Sequence, residues 1–223
     1  MKKIMLLLCL LCLALPVSAL GAESAATRLQ DRYKSITSMQ ASFTQTLIHK
    51  ESGGKENRSG VMTFQKPFLL RWEVTQPAPE LLIVTDKEIW NEFSDEEIVY
   101  KYPLSMAEDS SGILQVITGQ ARLDKDFIID RESREGNLVK LEAFPNEPTQ
   151  SLTEVRLWVD QASGLLRRVV VIDFFGNEND ITFADLKTNV KIAGTPFTYA
   201  PPKGMQVEDR SDGTSGGQQK LLQ

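Results

Sequence analysis

Bulky apolar residues return at every second position through residues 64–77. Phe64, Phe68, Leu70, Trp72 and Val74 share one register, in which Lys66 is the only polar member. Gln65, Arg71, Glu73 and Thr75 occupy the other register, apart from Pro67 and Leu69. This is the period of a strand with one apolar face. The same rhythm predicts strands at 40–49, 60–65, 68–75, 80–85, 88–93 and 97–102. Ile98, Tyr100 and Tyr102 share a face in the last of these. Strands are predicted again at 126–131, 137–144, 152–160, 164–175, 180–188 and near 197–199. The polar, glycine-bearing stretch at 51–59 and Gly176-Asn177-Glu178-Asn179 read as hairpin turns.

Two segments follow a different period. Ala26, Leu29, Tyr33 and Ile36 fall at helical spacing, with Ser24 as cap, and predict a helix over 24–39. Within 104–119, Asp109 or Ser110 can cap a short helix in which Ile113, Leu114, Val116 and Ile117 crowd one side before Gly119 stops it. The predicted order is one helix, many antiparallel strands, an inserted helical segment, then more strands. A sheet of roughly ten strands curls or closes. The two helices are then available to cover its concave side.

The front of the chain changes the picture. Met1-Lys2-Lys3, the apolar run Ile4 to Leu15 and Pro16 form an export signal over 1–22, with Ala19 or Ala22 as cleavage points. The run is too short to span a bilayer. Both cysteines, Cys9 and Cys12, lie inside it, so the exported protein is expected to lack thiols. Losing Lys2 and Lys3 makes the formal charge two units more negative than the −5 of the full chain. An acidic surface argues against nucleic acid and anionic membrane as main partners. Residues 23–209 are expected to form a single domain, followed by a disordered tail at 210–223 rich in Ser, Gly and Gln.

The parts of an enzyme are sparse. His49 is the only histidine. Gly213-Thr214-Ser215-Gly216-Gly217 matches a nucleophile motif but lacks the strand before it and the helix after it that the motif requires. No zinc-protease, P-loop or dinucleotide motif occurs. The acidic runs Asp95-Glu96-Glu97 and Glu108-Asp109 read as solvated loop faces. No catalysis, cofactor or metal is expected. The apolar stripe is either an ordinary core or a wall for an apolar cargo, and periodicity does not separate the two.

Five segments go further: SMQASFTQT at 38–46, FQKPFLLRWEVTQP at 64–77, LIVTDKEIWNEF at 82–93, LWVDQASGLLRRV at 157–169 and FTYAPPKGMQVED at 197–209. Their order resembles that of the LolA family, periplasmic carriers of outer-membrane lipoproteins. The resemblance implies a mainly β fold with helices, an incomplete antiparallel β-barrel (a half-barrel) with helices over its concave mouth. It implies a monomeric, non-enzymatic chaperone that shields the acyl chains of lipoproteins. Such a carrier takes them from an inner-membrane ABC-transporter lipoprotein-release complex to an outer-membrane lipoprotein acceptor. On this basis Phe64, Phe68, Leu70, Trp72, Trp90 and Phe93 are expected to wall an acyl-chain cavity, with Ile113, Leu114 and Ile117 on the covering helix. The oily hollow is expected to be vacant.

Two departures from the family pattern bear on the site. Lys66 stands where the family commonly has the Arg thought to latch the lid, and Lys has three donors in place of five. The latch role carried to Lys66 requires contact with backbone carbonyls near 104–119 or the first helix. The turn at Asp86-Lys87-Glu88 is one residue shorter before Trp90 than the family's, so a changed hairpin is expected. The alternatives are a carrier of glycolipid or phospholipid on the same fold and a lipoprotein-sensing regulatory protein.

Overall fold

The computed structural model describes residues 23–105, 113–211 and 222. The expected signal at 1–22 and the caps Asp109 and Ser110 lie outside the described residues. So does most of the tail.

The chain opens with α1 (Ala25–Lys34) and continues through six strands: β1 (Ser38–Ile48), β2 (Lys55–Gln65), β3 (Leu69–Gln76), β4 (Glu80–Val84), β5 (Glu88–Phe93) and β6 (Ile98–Pro103). Among the described residues two short helices follow, α2 (Ile113–Ile117) and α3 (Leu123–Asp126). Six more strands complete the fold: β7 (Phe127–Glu135), β8 (Leu138–Pro145), β9 (Glu154–Asp160), β10 (Leu166–Ile172), β11 (Glu178–Thr188) and β12 (Gln206–Asp209). All strands belong to one sheet in the order β12-β6-β5-β4-β3-β2-β1-β11-β10-β9-β8-β7. Every neighbouring pair is antiparallel except β12 with β6. The two ends of the order do not pair, so the sheet stays open, as the half-barrel expectation requires.

Ring distances show that the sheet curls. β3 and β11 are separated by β2 and β1, three steps of about 4.8 Å in a flat sheet. Yet Trp72 on β3 and Phe183 on β11 bring their ring centroids to 6.4 Å. Inward residues of strands as distant as β4 and β8 therefore share one buried cluster, which includes Leu82, Trp72, Phe43, Phe183, Val169, Leu157 and Leu141. Ala25, Ala26, Leu29 and Tyr33 of α1 belong to the same cluster, as do Ile113, Leu114, Val116 and Ile117 of α2. The helices close the concave side because it is the only face where their apolar stripes can be buried.

The stripe at 64–77 is two strands folded on each other, as the predicted strands at 60–65 and 68–75 require: Phe64 of β2 pairs with Leu70 of β3 across a turn through Lys66 and Pro67. Several other elements differ from the sequence reading. The first helix stops at Lys34, not 39. There the Ser35 hydroxyl donates to Arg32 O at 2.7 Å, and Thr37 N donates to Asn189 Oδ1 at 2.8 Å as the chain peels off to join β2. The turn placed at 176–179 closes earlier, with Asp173 Oδ1 accepting from Phe175 N and Asn177 N, both at 2.9 Å. Residues 197–199 form no strand; the last pairing falls at β12 instead. The tail is not free at its described positions. Arg210 N donates to Lys101 O, its guanidinium lies 4.0 Å from the Tyr100 ring centroid, and Leu222 is buried.

Candidate functional site

The concave wall is built from the inward register of β1 to β5 and β11. Phe64, Leu70, Trp72 and Val74 are buried there, Met62 pairs with Trp72, and Leu82 pairs with it from the other side. Trp72 stacks on Phe43 with centroids 3.8 Å apart at 26° and meets Phe183 edge-on. Gly60 makes room for the stack: a Cβ there would lie 1.8 Å from Glu73 O and 2.9 Å from Phe43 Cζ. Trp72 Nε1 is buried without an acceptor, so nothing ties the indole except packing. The wall is aromatic and aliphatic, with no fixed hydrogen-bond code, which suits a ligand recognised by hydrocarbon.

Polar contacts hold the cover along α1 and at one turn: Arg28 Nη1 donates to Gln161 O at 2.6 Å and Arg32 Nη2 to Thr188 Oγ1 at 2.9 Å, both away from that turn. Ser24 caps α1 by accepting from Thr27 N at 3.1 Å. At its other end, Lys66 Nζ donates to Tyr33 O at 2.7 Å and to Lys34 O at 3.1 Å. These carbonyls lie in the last turn of the helix, where a cation meets the negative end of the helix dipole; Tyr33 O also accepts from Ile36 N at 3.2 Å. Asn189 joins them, with Nδ2 donating to Ser35 O at 3.2 Å. Next to Lys66, Pro67 O accepts from Gln120 Nε2 at 2.9 Å, which fixes the segment after α2. That segment turns at Gly119, whose φ is +72° and whose absent Cβ would sit 1.9 Å from Tyr33 Cδ1. Burial pushes the Tyr33 phenol far above its ordinary pKa, so it stays neutral beneath the cover.

Most of the sequence-predicted residues converge. Phe68, Leu70 and Leu114 border one small cavity with Val84, Gln115 and Thr118. Ile113 and Ile117 are buried in the cluster that holds Trp72. Phe93 is half-buried and packs edge-on to Tyr100 at 5.9 Å, toward the β6 side of the sheet. Trp90 does not join them. Pairing runs Arg71–Ile83–Trp90–Lys101 along one face and Trp72–Leu82–Asn91–Tyr100 along the other. Trp90 therefore lies on the convex face, 5.4 Å from Tyr199, with Lys101 Nζ 5.5 Å from its ring centroid. The short hairpin explains it. Thr85 Oγ1 accepts from Lys87 N and Glu88 N, and this tight turn gives the inward place to Ile89.

Among the described residues, the space between the cover and the wall is small. The cavity at Phe68 and Leu114 has a volume of about 20 Å³, and a second, between Leu29, Tyr33, Val116 and Leu123, about 10 Å³. Each holds about one water and no acyl chain. Among the described residues, the side chains of α1 and α2 pack against this part of the wall and leave only these two small gaps there, while a larger space of about 340 Å³ opens beside the inward residues Leu47, Val171 and Asn179. Among the described residues no group of His, Cys, Asp and Glu is placed to hold a metal.

The sequence reading missed Asn189, Gln120 and a buried amide pair, Gln45 and Asn179. Gln45 and Asn179 were visible as polar residues at inward positions of alternating strands. Asn189 and Gln120 sit in connections with no period to betray them.

The family model described as outer membrane lipoprotein carrier protein LolA matches residues 34–200. The chain belongs to the LolA family. Family members named outer-membrane lipoprotein carrier protein include one from Nitrosomonas europaea, 29% identical over 199 residues, covering 87% of this chain and 92% of that one. One from Chromobacterium violaceum is 26% identical over 93% of this chain and 98% of its own. One from Pseudoalteromonas translucida is 26% identical over 96% of this chain and all of its own. The fold is also similar to a solved, uncharacterized conserved protein from Thermus thermophilus. That likeness has a TM-score of 0.55 at 17% identity, over 84% of this chain and all of the other.

Proposed function

We propose that this LolA-family protein is a non-catalytic periplasmic carrier that shields the acyl chains of lipoproteins between the inner and outer membranes. It is exported with a cleaved signal, and residues 23–209 act as one carrier domain. An inner-membrane ABC-transporter release complex loads it, and an outer-membrane acceptor empties it. The observation that carries the reading is the apolar wall around Trp72, covered by two helices whose apolar side chains pack on it. Membership of the family supports the choice of cargo.

The closed interior fits such a role if loading is an exchange. Burying an acyl chain is worth ~0.8 kcal/mol per CH₂, roughly ten kcal/mol for a long chain. Burying one large apolar side chain is worth ~1.5–3 kcal/mol. The inward side chains of α1 and α2 thus contribute an amount of the same order. Cargo replaces the cover's contacts with the wall instead of adding to them. Net binding stays small enough for release without nucleotide hydrolysis by the carrier itself. Phe64, Phe68, Leu70, Trp72 and Phe93 serve as the acyl wall, Ile113, Leu114 and Ile117 as the cover, and Lys66 as its latch.

A photo-crosslinking residue tests this. Placed at Trp72 or Leu70 and illuminated in cells, it should capture acylated lipoproteins, and placed at Trp90 it should not. Equal capture at both positions, or capture of lipid without polypeptide at Trp72, would refute the assignment.

A further inference from the structure

Gln45 and Asn179 break the apolar face of the barrel on adjacent strands. Both are inward-facing and almost fully buried, at 1% and 3% exposure. Gln45 Nε2 donates to Asn179 Oδ1 at 2.9 Å. The two amides then converge on a single acceptor: Leu222 O takes Gln45 Nε2 at 2.9 Å and Asn179 Nδ2 at 2.7 Å. Leu222 is itself buried within the apolar cluster. The arrangement is an aliphatic side chain with its carbonyl seated on two amide donors, far in sequence from the strands that hold it.

The orientation of Gln45 is fixed by its neighbours. Its nitrogen faces two oxygens, so reversing the amide would set three oxygens together. Gln45 Oε1 is consequently left buried with no donor. A buried amide acceptor without a partner is destabilising by comparison with an apolar side chain in the same place. If Gln45 served only to hold Leu222, a leucine or valine would pack as well. Its retained donor and spare acceptor suit a polar head on a hydrocarbon chain. Asn179 also borders a surface cleft of about 340 Å³ with Leu47, Val171, Arg58 and His49, which gives such a head a route from solvent.

We infer that Gln45 and Asn179 form a subsite for the carbonyl of a fatty acyl group, and that Leu222 occupies it in cis as a competitor. The subsite lies on β1 and β11, apart from the Lys66 turn that fastens the cover. It rests on the carrier reading, and specifies which part of the cargo this chain recognises by hydrogen bonding. The carbonyl of an ester, of an amide-linked acyl chain or of a free fatty acid offers the same acceptor. The hydroxyl of the protonated acid and the N–H of an amide-linked chain can also donate to Gln45 Oε1, whereas an ester has no donor.

Binding of fluorescent C16 probes to the exported chain tests it, in four forms: the free acid, the methyl ester, the N-methyl amide and a carbonyl-free alkyl analogue. Leu222→Asp removes the competitor and should tighten the three carbonyl probes roughly ten-fold or more. Gln45→Leu with Asn179→Leu should weaken those three while leaving the alkyl analogue at its wild-type affinity. Tighter binding of the acid or of the amide than of the ester assigns the spare acceptor to that donor, and equal binding of the three assigns the subsite to the carbonyl alone. Carboxypeptidase digestion gives a second readout, since bound probe should expose the chain around Leu222. If all four probes bind with the same affinity in wild type and in both variants, the subsite is refuted and the carrier reading stands. If no probe binds to any form, the carrier reading itself fails.

Discussion

Replacing Lys66 by methionine tests how the cover is fastened. The side chain keeps its length and loses its charge and donors. Two bonds disappear, to Tyr33 O at 2.7 Å and Lys34 O at 3.1 Å. Hydrogen bonds to a charged group are worth about 1.5–3 kcal/mol where they are buried. Lys66 is half-exposed, the Lys34 carbonyl can turn to water, and Tyr33 O still accepts from Ile36 N at 3.2 Å. Those facts reduce the loss to ~1–2 kcal/mol, including the helix-terminus contribution. If α1 opens independently of the sheet, its open population should rise roughly 5–30-fold. Hydrogen exchange reads this directly. Amides in the last turn of α1 should exchange faster by that factor, while those of β1 and β2 keep their protection. Lys66→Arg should hold α1 at least as well, since its fork reaches both carbonyls. Unchanged exchange in α1 of the methionine variant would refute the latch, as would equal acceleration throughout the sheet.

The other expectations follow from single contacts. Gly119→Ala puts a Cβ into the Tyr33 ring at a positive φ, so it should lower the melting temperature and increase binding of an apolar dye as the cover loosens. Trp72→Ala should lose about 3–5 kcal/mol of stability in denaturant titration, and Trp90→Ala on the half-covered convex face clearly less. Glu80 is held above the ordinary carboxylate range, by burial first and against the pull of Arg58. Its contribution is therefore full below the usual Glu pKa and is lost as pH rises through the raised value. Glu80→Gln should remove that decline, and a stability profile of unchanged slope would count against the shift.

The sheet was readable because a curled wall with one apolar face imposes period 2 on every strand, and nearly every predicted segment sits on a real one. The errors fall where pairing, not periodicity, decides. Trp90 alternates as well as Trp72 does, but a tight turn at Thr85 gives the inward place to Ile89. β12 has too little apolar character to stand out, and exists because β6 offers an open edge. Lys66 looked like an edge-strand lysine by pattern, and only its place in a turn beneath α1 reveals two carbonyl partners. Whether an apolar stripe is filled or vacant depends on how closely the helices settle on it. Among the described residues, their packing leaves water-sized gaps at Phe68 and at Tyr33, while a space of about 340 Å³ opens beside Leu47, Val171 and Asn179.

The central claim is that hydrocarbon enters by displacing the helices from the sheet. After residue 22 the sequence has no cysteine, so single thiols can be placed at will. Spin labels at Asp31→Cys on the outside of α1 and Val61→Cys on the convex side of β2 report the separation of cover and wall. Pulsed distance measurements should give one short distribution for the free protein. A longer one should appear with a triacylated peptide and be absent with the same peptide lacking its acyl chains. Tight binding of the acylated peptide with the short distribution unaltered would contradict the account.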